Sequence, residues 1–462
     1  MIKKEKLKNV TLVILILISI CLFSNMWLGE KLWSDGYDFF AFFDAFSLVG
    51  DENSSTFAIG DIVTPRRFVI SGGDKRNIVS ASDSEYSRCV NEIYAVFKHT
   101  DGNFSSAAFN EWTSKLKSKS VLIDFGIPVT TQLLAETGIT APDNGLYSKI
   151  LIVPDDSVLK RCTIYFENSV SGEIFKCLTD NQPAVSTLIS NYTEGSGAIN
   201  IPYAFELGFD SVKQEQSGEI NQSVLLDSTI SLGLSERLVP GAEIKGAFNR
   251  QDTDKVLKNF FDTGVSVRRY IEKDGSGIFV NRKSTLKLSS GGYIEYTAES
   301  EGKKVTDTRS TDAESVSAVM SLVRSISAQY NLSGVKFQLH NSPSTDDTGA
   351  TVISLNYLLG SVPLSLKDQS GGATPAATAK IKNGRLVYFK FYICNISQTH
   401  QQTVLPSMIK AIDSLYSQAG GEKLRVSDLY VSYIADDVSK TVKPFWCAKI
   451  KNSDRVIIIN GE

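Results

Sequence analysis

Val265-Ser-Val-Arg-Arg-Tyr-Ile271, Asp274-Gly-Ser-Gly277, Ser289-Ser-Gly-Gly292 and Tyr293-Ile-Glu-Tyr-Thr297 follow one another near the middle of a chain of 462 residues. The first reads as a strand. Asp274-Gly275 supplies the left-handed conformations of a tight hairpin turn. Leu286 and Leu288 then lead into a second glycine turn, and Tyr293 to Thr297 alternates as a further strand. Short strands joined by glycine turns lie antiparallel, so this stretch fixes the sheet type for the region around it.

Helical patterns flank the hairpins. Upstream, Asp252 and Gly264 frame a helix with Val256, Leu257, Phe260 and Phe261 turned inward. Downstream, Thr311-x-x-Glu314 is a capping box opening a helix with Val316, Val319, Met320, Val323 and Ile326 on one stripe. Strands are expected at Val335–Leu339, Val352–Tyr357, Leu386–Cys394, Leu429–Ile434 and Arg455–Ile459, and a helix from Pro406 to Tyr416. Nearer the start, Ser82-x-x-Glu85 reads as a second capping box before a stripe of Tyr86, Cys89, Val90, Ile93, Val96 and Phe97. A helix with Phe109, Trp112 and Leu116 comes next, then a buried strand Val121–Phe125 that Pro128 is expected to break. A short helix through Leu133 and Leu134 precedes a strand Ile150–Val153, and the Gly/Ser-rich stretch from Tyr192 to Ala198 reads as a linker. Antiparallel sheets flanked by helices define an α+β class.

Four lysines, Lys3, Lys4, Lys6 and Lys8, precede 21 uncharged residues, Asn9 to Gly29. The apolar run within it would span about 28 Å as a helix, close to the hydrocarbon thickness of a bilayer. The basic end should stay in the cytoplasm, so the lysines act as topology determinants and residues 30–462 are expected outside. A cleaved signal peptide fits less well, because Ile20, Cys21, Leu22 and Phe23 offer no small-residue cleavage site. The expected organisation is a cytoplasmic tail (residues 1–8), a transmembrane helix (9–29) and a multidomain ectodomain. The ectodomain comprises an N-terminal α+β part (30–198), a middle α+β domain (199–310), and a connecting helix with a C-terminal α+β domain (311–462). This places the chain in a cell membrane as a single-pass protein.

The net charge is −3, and the tail contributes +3 of it, leaving −6 for the rest. No basic run occurs there, so nucleic acid is not an expected partner. Cys162 and Cys177 flank a hairpin in which they are expected to face each other. A disulfide between them is allowed outside the cell. Two small buried apolar residues are the other reading.

Catalytic patterns are scarce. His99, His340 and His400 form no H-E-x-x-H, and no Cys/His cluster has zinc spacing. Neither a nucleophile elbow nor a phosphate-binding glycine loop is found. Pairs such as Ser114/Lys117 and Ser407/Lys410 match S-x-x-K, but the K-T-G partner of that set is missing. Asp155/Asp156, Asp346/Asp347 and Asp436/Asp437 read as solvated turn carboxylates. No enzyme activity, catalytic residue, cofactor or metal is therefore expected.

Certain stretches resemble a known family. Trp27-Leu-Gly-Glu-Lys-Leu-Trp33-Ser-Asp-Gly-Tyr37-Asp-Phe-Phe40 after the apolar run is similar to the start of YycH-family proteins of clostridial type. Val265 to Phe279 with Ser289 to Thr297 resembles the family's middle domain. Pro444-Phe-Trp-Cys447 and Ile459-Asn-Gly461 resemble the close of the domain shared by YycH and YycI. The resemblance implies a single-pass regulator, without chemistry of its own, of the WalK (YycG) sensor histidine kinase. That two-component system governs cell-wall metabolism in Gram-positive bacteria. It also implies a YycI-like sister protein as partner, and contact with the kinase through transmembrane helices. Helix association in lipid rests on close packing and hydrogen bonds. Cys21 and Asn25 lie one turn apart on one face, and Ser19 is a further small polar residue off that face; these three are the candidate contact, the other reading being that Asn25 sits at the outer interface. The alternative is an anchored extracellular protein that binds cell-wall or other ligands.

Overall fold

The computed structural model describes residues 59–459 apart from 82, 156–160, 181, 195–198, 208–217, 222, 227–230, 239–249, 263–264, 300–301, 331, 333–335, 360, 368–372, 421, 436–440, 452 and 454. Residues 67–179 carry a first sheet of seven strands: β1 (Arg67–Gly72), β2 (Arg76–Ser80), β3 (Ser105–Ala107), β4 (Lys119–Thr130), β5 (Leu146–Pro154), β6 (Cys162–Asn168) and β7 (Ile174–Thr179). Their order is β2-β1-β4-β5-β6-β7-β3, antiparallel throughout. Helices α1 (Tyr86–Phe97), α2 (Phe109–Leu116), α3 (Thr131–Glu136) and α4 (Gln182–Thr193) accompany it.

Both faces of this sheet are covered, which explains why its central strands read as unbroken apolar runs. Val121, Ile123, Ile150, Ile152 and Ile164 pack with Cys89 and Ile93 of α1 and Leu188 of α4. The intervening Leu122, Leu151 and Tyr165 face the other way, onto Trp112 and Leu116 of α2. The period of two in a strand sends successive side chains to opposite faces, so each face receives its own helix layer.

A second sheet is built from later strands: β8 (Gly218–Ile220), β9 (Ser231–Leu238), β10 (Arg268–Ile271), β11 (Gly277–Val280), β12 (Ser284–Ser289), β13 (Tyr293–Ala298), β14 (Lys336–Leu339), β15 (Ser344–Thr345), β16 (Thr351–Leu359), β17 (Val362–Lys367), β18 (Ala373–Thr374), β19 (Ala377–Lys382), β20 (Arg385–Tyr392), β21 (Asn395–Val404), β22 (Leu424–Ala435), β23 (Thr441–Ile450) and β24 (Val456–Ile459). The hairpins β10 to β13 join β20 through pairs from Tyr293↔Tyr392 to Thr297↔Tyr388. Strands from residues 199–310 and from 311–462 thus run in one sheet. Most pairings are antiparallel; β22 runs parallel to β17 and β8. Helices α5 (Arg250–Phe260), α6 (Asp312–Gln329) and α7 (Met408–Gln418) cover it.

The capping box of α6 forms as its sequence indicates. Glu314 N donates to Thr311 Oγ1 at 3.2 Å, and Thr311 N donates to Glu314 Oε2 at 2.7 Å. Val316, Val319, Met320, Val323 and Ile326 are all buried. Each contributes about 1.5–3 kcal/mol on leaving water. This helix packs on α5 and on α3, so one element touches the helix layers of both sheets.

Antiparallel sheets with flanking helices agree with the α+β expectation. Several local readings need correction. Helix α1 starts at Tyr86 with Glu85 as its N-cap and no side-chain cap, because Glu85 stands one residue before the helix and not at its third position. Ser82 lies outside the described residues. Pro128 does not end β4; the pairing with β5 shifts between Asp124 and Val129, and the strand runs on to Thr130. A proline at an irregularity removes no ladder hydrogen bond. Tyr192 and Thr193, read as linker, close α4. Among the described residues no helix is long and apolar enough to cross a membrane. The apolar run at residues 9–29 lies outside them.

Candidate functional site

Lys3, Lys4, Lys6 and Lys8, and the contact candidates Ser19, Cys21 and Asn25, lie outside the described residues. Cys162 and Cys177 are both described, buried and free. They do not face each other. Cys177 pairs with Ile164, and Cys162 with Thr179, a two-residue offset that puts the thiols on one face as diagonal neighbours. The offset follows from where the hairpin closes: the connection runs from Asn168 to Ile174.

The functional features of the described residues gather where the two sheets meet. Arg66 and Arg67 stand at the start of β1, and Asp124 interrupts the apolar run of β4. Register sets Arg67 opposite Asp124. Arg67 Nε donates to Asp124 Oδ2 at 2.9 Å, and Arg66 Nη2 donates to the same oxygen at 2.7 Å. Gly126 N donates to Asp124 Oδ1 at 2.9 Å. Burial opposes the charge of Asp124, but the adjoining Arg66 and Arg67 guanidiniums prevail and hold its carboxyl well below the usual range.

Arg66 then reaches into the second sheet. Its Nη1 donates to Asp428 Oδ2 of β22 at 2.9 Å, and its guanidinium lies 5.8 Å from the Tyr430 ring centre. Gly126 makes the crossing feasible. It has φ 71°, and a Cβ there would come within 3.1 Å of Arg66 Nε.

Beside this junction opens a cleft of about 450 Å³. The ends of β5 and β6 form one wall, with Ser148, Lys149, Glu167 and Asn168. Asn341 to Ser344 and the β22–β23 region, with Ser427, Lys449 and Lys451, form the other. Among the described residues no aromatic side chain lines it. Lys149 Nζ donates to Ser223 Oγ at 2.8 Å. The Ser223 hydroxyl lies 3.2 Å from Glu167 Oε2 and 2.8 Å from Asn221 Oδ1, the two acceptors open to it. Lys449 Nζ donates to Asn341 Oδ1 at 2.6 Å, and Ser342 Oγ donates to the Pro128 carbonyl. A smaller recess of about 40 Å³ adjoins it and shares Gly126, Asn341 and Lys449. In its wall, Asn356 Nδ2 sits 3.0 Å from His340 Nδ1, and among the described residues Asn356 Oδ1 has no hydrogen-bond partner.

Among the described residues no cluster of His, Cys, Asp and Glu could hold a metal. The cleft sets three ammonium groups, Lys149, Lys449 and Lys451, among three carboxylates, Asp124, Glu167 and Asp428, with serine and asparagine side chains between them. Sequence reading passed over all of it. The available signal was a lone charge in an apolar strand: Asp124 within Val121-Leu-Ile-Asp-Phe125, and Lys149 just before Ile150-Leu-Ile-Val153.

The class of molecule is thus an α+β protein of two sheets locked across a buried arginine–aspartate junction. Its fold is that of YycH: the chain is similar to the crystal structure of YycH from Bacillus subtilis, with a TM-score of 0.58 and 13% sequence identity, over 88% of this chain and 98% of that one. No family model and no curated protein matches the chain.

Proposed function

We propose that this protein is a membrane-anchored, extracytoplasmic regulator of a WalK-type sensor histidine kinase controlling cell-wall metabolism. It acts by contact and catalyses no reaction. The observation that carries this reading is the YycH-like fold, which extends over 88% of the chain. The basic tail and the apolar run at residues 9–29 add support, since they suit a single span with the folded body outside. In this reading the clostridial-type regulator meets the kinase through Ser19, Cys21 and Asn25, and its ectodomain assembles with a YycI-like sister protein. A transmembrane helix regulates by favouring one of two packings of its neighbour, which requires unequal contact with the two.

Co-purification tests this directly. The full chain, tagged and crosslinked in the cell before mild detergent extraction, is expected to bring down the WalK-type kinase. Recovery of the tagged chain at normal yield without the kinase would count against the proposal.

A further inference from the structure

Strand β10 ends the second sheet. Among the described residues its one partner strand is β11, in regular antiparallel register from Arg268↔Val280 to Ile271↔Gly277. All four of its residues are exposed, so neither face of the strand is covered. Ile271 is 66% exposed and Tyr270 52%, and Val265 just upstream is exposed as well. The edge has no proline and no bulge, two of the devices that keep a strand edge from pairing. Its main chain is aimed outward. Glu272 N donates to the Ser276 carbonyl at 2.8 Å and the Glu272 carbonyl accepts from Gly275 N at 3.0 Å, so Glu272 points towards β11. Main-chain groups alternate in an antiparallel ladder, so Tyr270 also faces β11, while Arg269 and Ile271 direct theirs to the open side. The remaining protective device is charge, on Arg268 and Arg269. It repels a second edge only in registers that set like charges opposite each other.

We propose that β10 is a homodimer interface, pairing antiparallel with β10 of a second copy about a two-fold axis at Tyr270. Charge complementarity selects this register. With Tyr270 opposite its own copy, Arg268 falls opposite Glu272, and Arg269 opposite Ile271. An axis at Arg269 would set that arginine against itself, and an axis at Ile271 would set Arg269 against Lys273. Like charges directly opposite destabilise a sheet. An axis between residues would match outward with inward main-chain groups and form no ladder. The Tyr270 register brings the outward groups of Arg269 and Ile271 together. It leaves the two tyrosines in a non-hydrogen-bonded pair, where side chains approach closest. Lys287 holds Glu272 at 2.7 Å, and a carboxylate with two oxygens can accept the incoming Arg268 as well. The stem of Arg269 covers Ile271 of the other copy. The ladder is short, so the contact belongs with weak, transient interfaces. It concerns residues 268–272 alone and is independent of the kinase reading.

Disulfide trapping of the purified, detergent-solubilised full chain tests it, in a Cys21→Ser background. Non-hydrogen-bonded partners have Cα atoms about 4.5 Å apart, within the span of a disulfide. Tyr270→Cys should therefore give a disulfide-linked dimer under mild oxidation. Arg268→Cys, exposed on the same face of the strand, should not, because its copy would lie four residues along, about 14 Å away. The yield from Tyr270→Cys should exceed that from Arg268→Cys at least tenfold. Adding Arg268→Glu to Tyr270→Cys sets two carboxylates opposite each other and should cut the yield severalfold. Adding Glu272→Arg to that pair restores the complementarity and should restore the yield. No dimer from Tyr270→Cys, equal yields from the two positions, or a yield unmoved by Arg268→Glu overturns the proposal. Oxidation in the cell that links Tyr270→Cys to another protein and never to its own copy assigns the edge to a different partner and overturns it too.

Discussion

Arg66 Nη1 donates to Asp428 Oδ2 at 2.9 Å, joining residues 362 positions apart and binding the first strand of one sheet to a central strand of the other. Asp428 belongs to β22, which also pairs with β17, β23 and β8. The pair is largely buried, with side-chain exposures of 14% and 12%. Removing one partner of such a pair leaves the other charge uncompensated, a cost of about 3–5 kcal/mol. Asp428→Ala and Arg66→Met should each lower the urea midpoint accordingly. The double variant should lose clearly less than the sum, because the charges are coupled. Additive losses across that cycle would show that the two residues act separately.

Acid should weaken the same junction. The Asp124 carboxyl is held below its ordinary range in the folded protein, so it stabilises the fold above the unfolded value of about 3.9. That contribution is lost as pH falls from there through the depressed folded value. Thermal midpoints measured against pH should therefore drop below about pH 4. In Asp124→Asn the midpoint should already be low at neutral pH and its acid slope shallower. An unchanged slope in that variant would remove Asp124 from the account.

Burial pushes the Cys162 and Cys177 thiols up to about 12. A thiol raised in this way stabilises the fold at neutral pH, and the contribution is lost as pH climbs from about 8.5 towards the folded value. In a Cys21→Ser variant of the full chain, alkylation at pH 8 should leave both thiols untouched while the fold is intact. In denaturant without reductant, both should react. A mass gain at these two positions that required reductant would establish a bridge between them.

Legibility in the sequence followed local physics. Thr311 and Glu314 carry their helix start within four residues, and the structure realises it. The hairpins around Asp274-Gly275 and Gly291-Gly292 were readable because positive φ, 88° at Gly275 and 84° at Gly292, is a property of the residue type. Another such signal was passed over: Asn383 and Gly384, at φ 50° and 72°, turn β19 into β20. The offset between Cys162 and Cys177 was beyond reach, since register depends on where the connection closes and not on the strands. The cleft was harder still. Lys149, Ser223, Lys449 and Asp428 come from distant parts of the chain and meet only after both sheets have formed. Solitary charges in apolar strands were the one trace, and they do not announce their partners.

Replacing residues 1–29 with an unrelated single-span helix of the same orientation tests the central claim most directly. Expression of the kinase's target genes is read at matched protein level, against the native chain and a deletion. The account predicts that the exchanged chain behaves like the deletion, with target expression shifted away from the native level. Full native regulation by the exchanged chain would contradict contact through Ser19, Cys21 and Asn25 and leave residues 30–462 as the acting part.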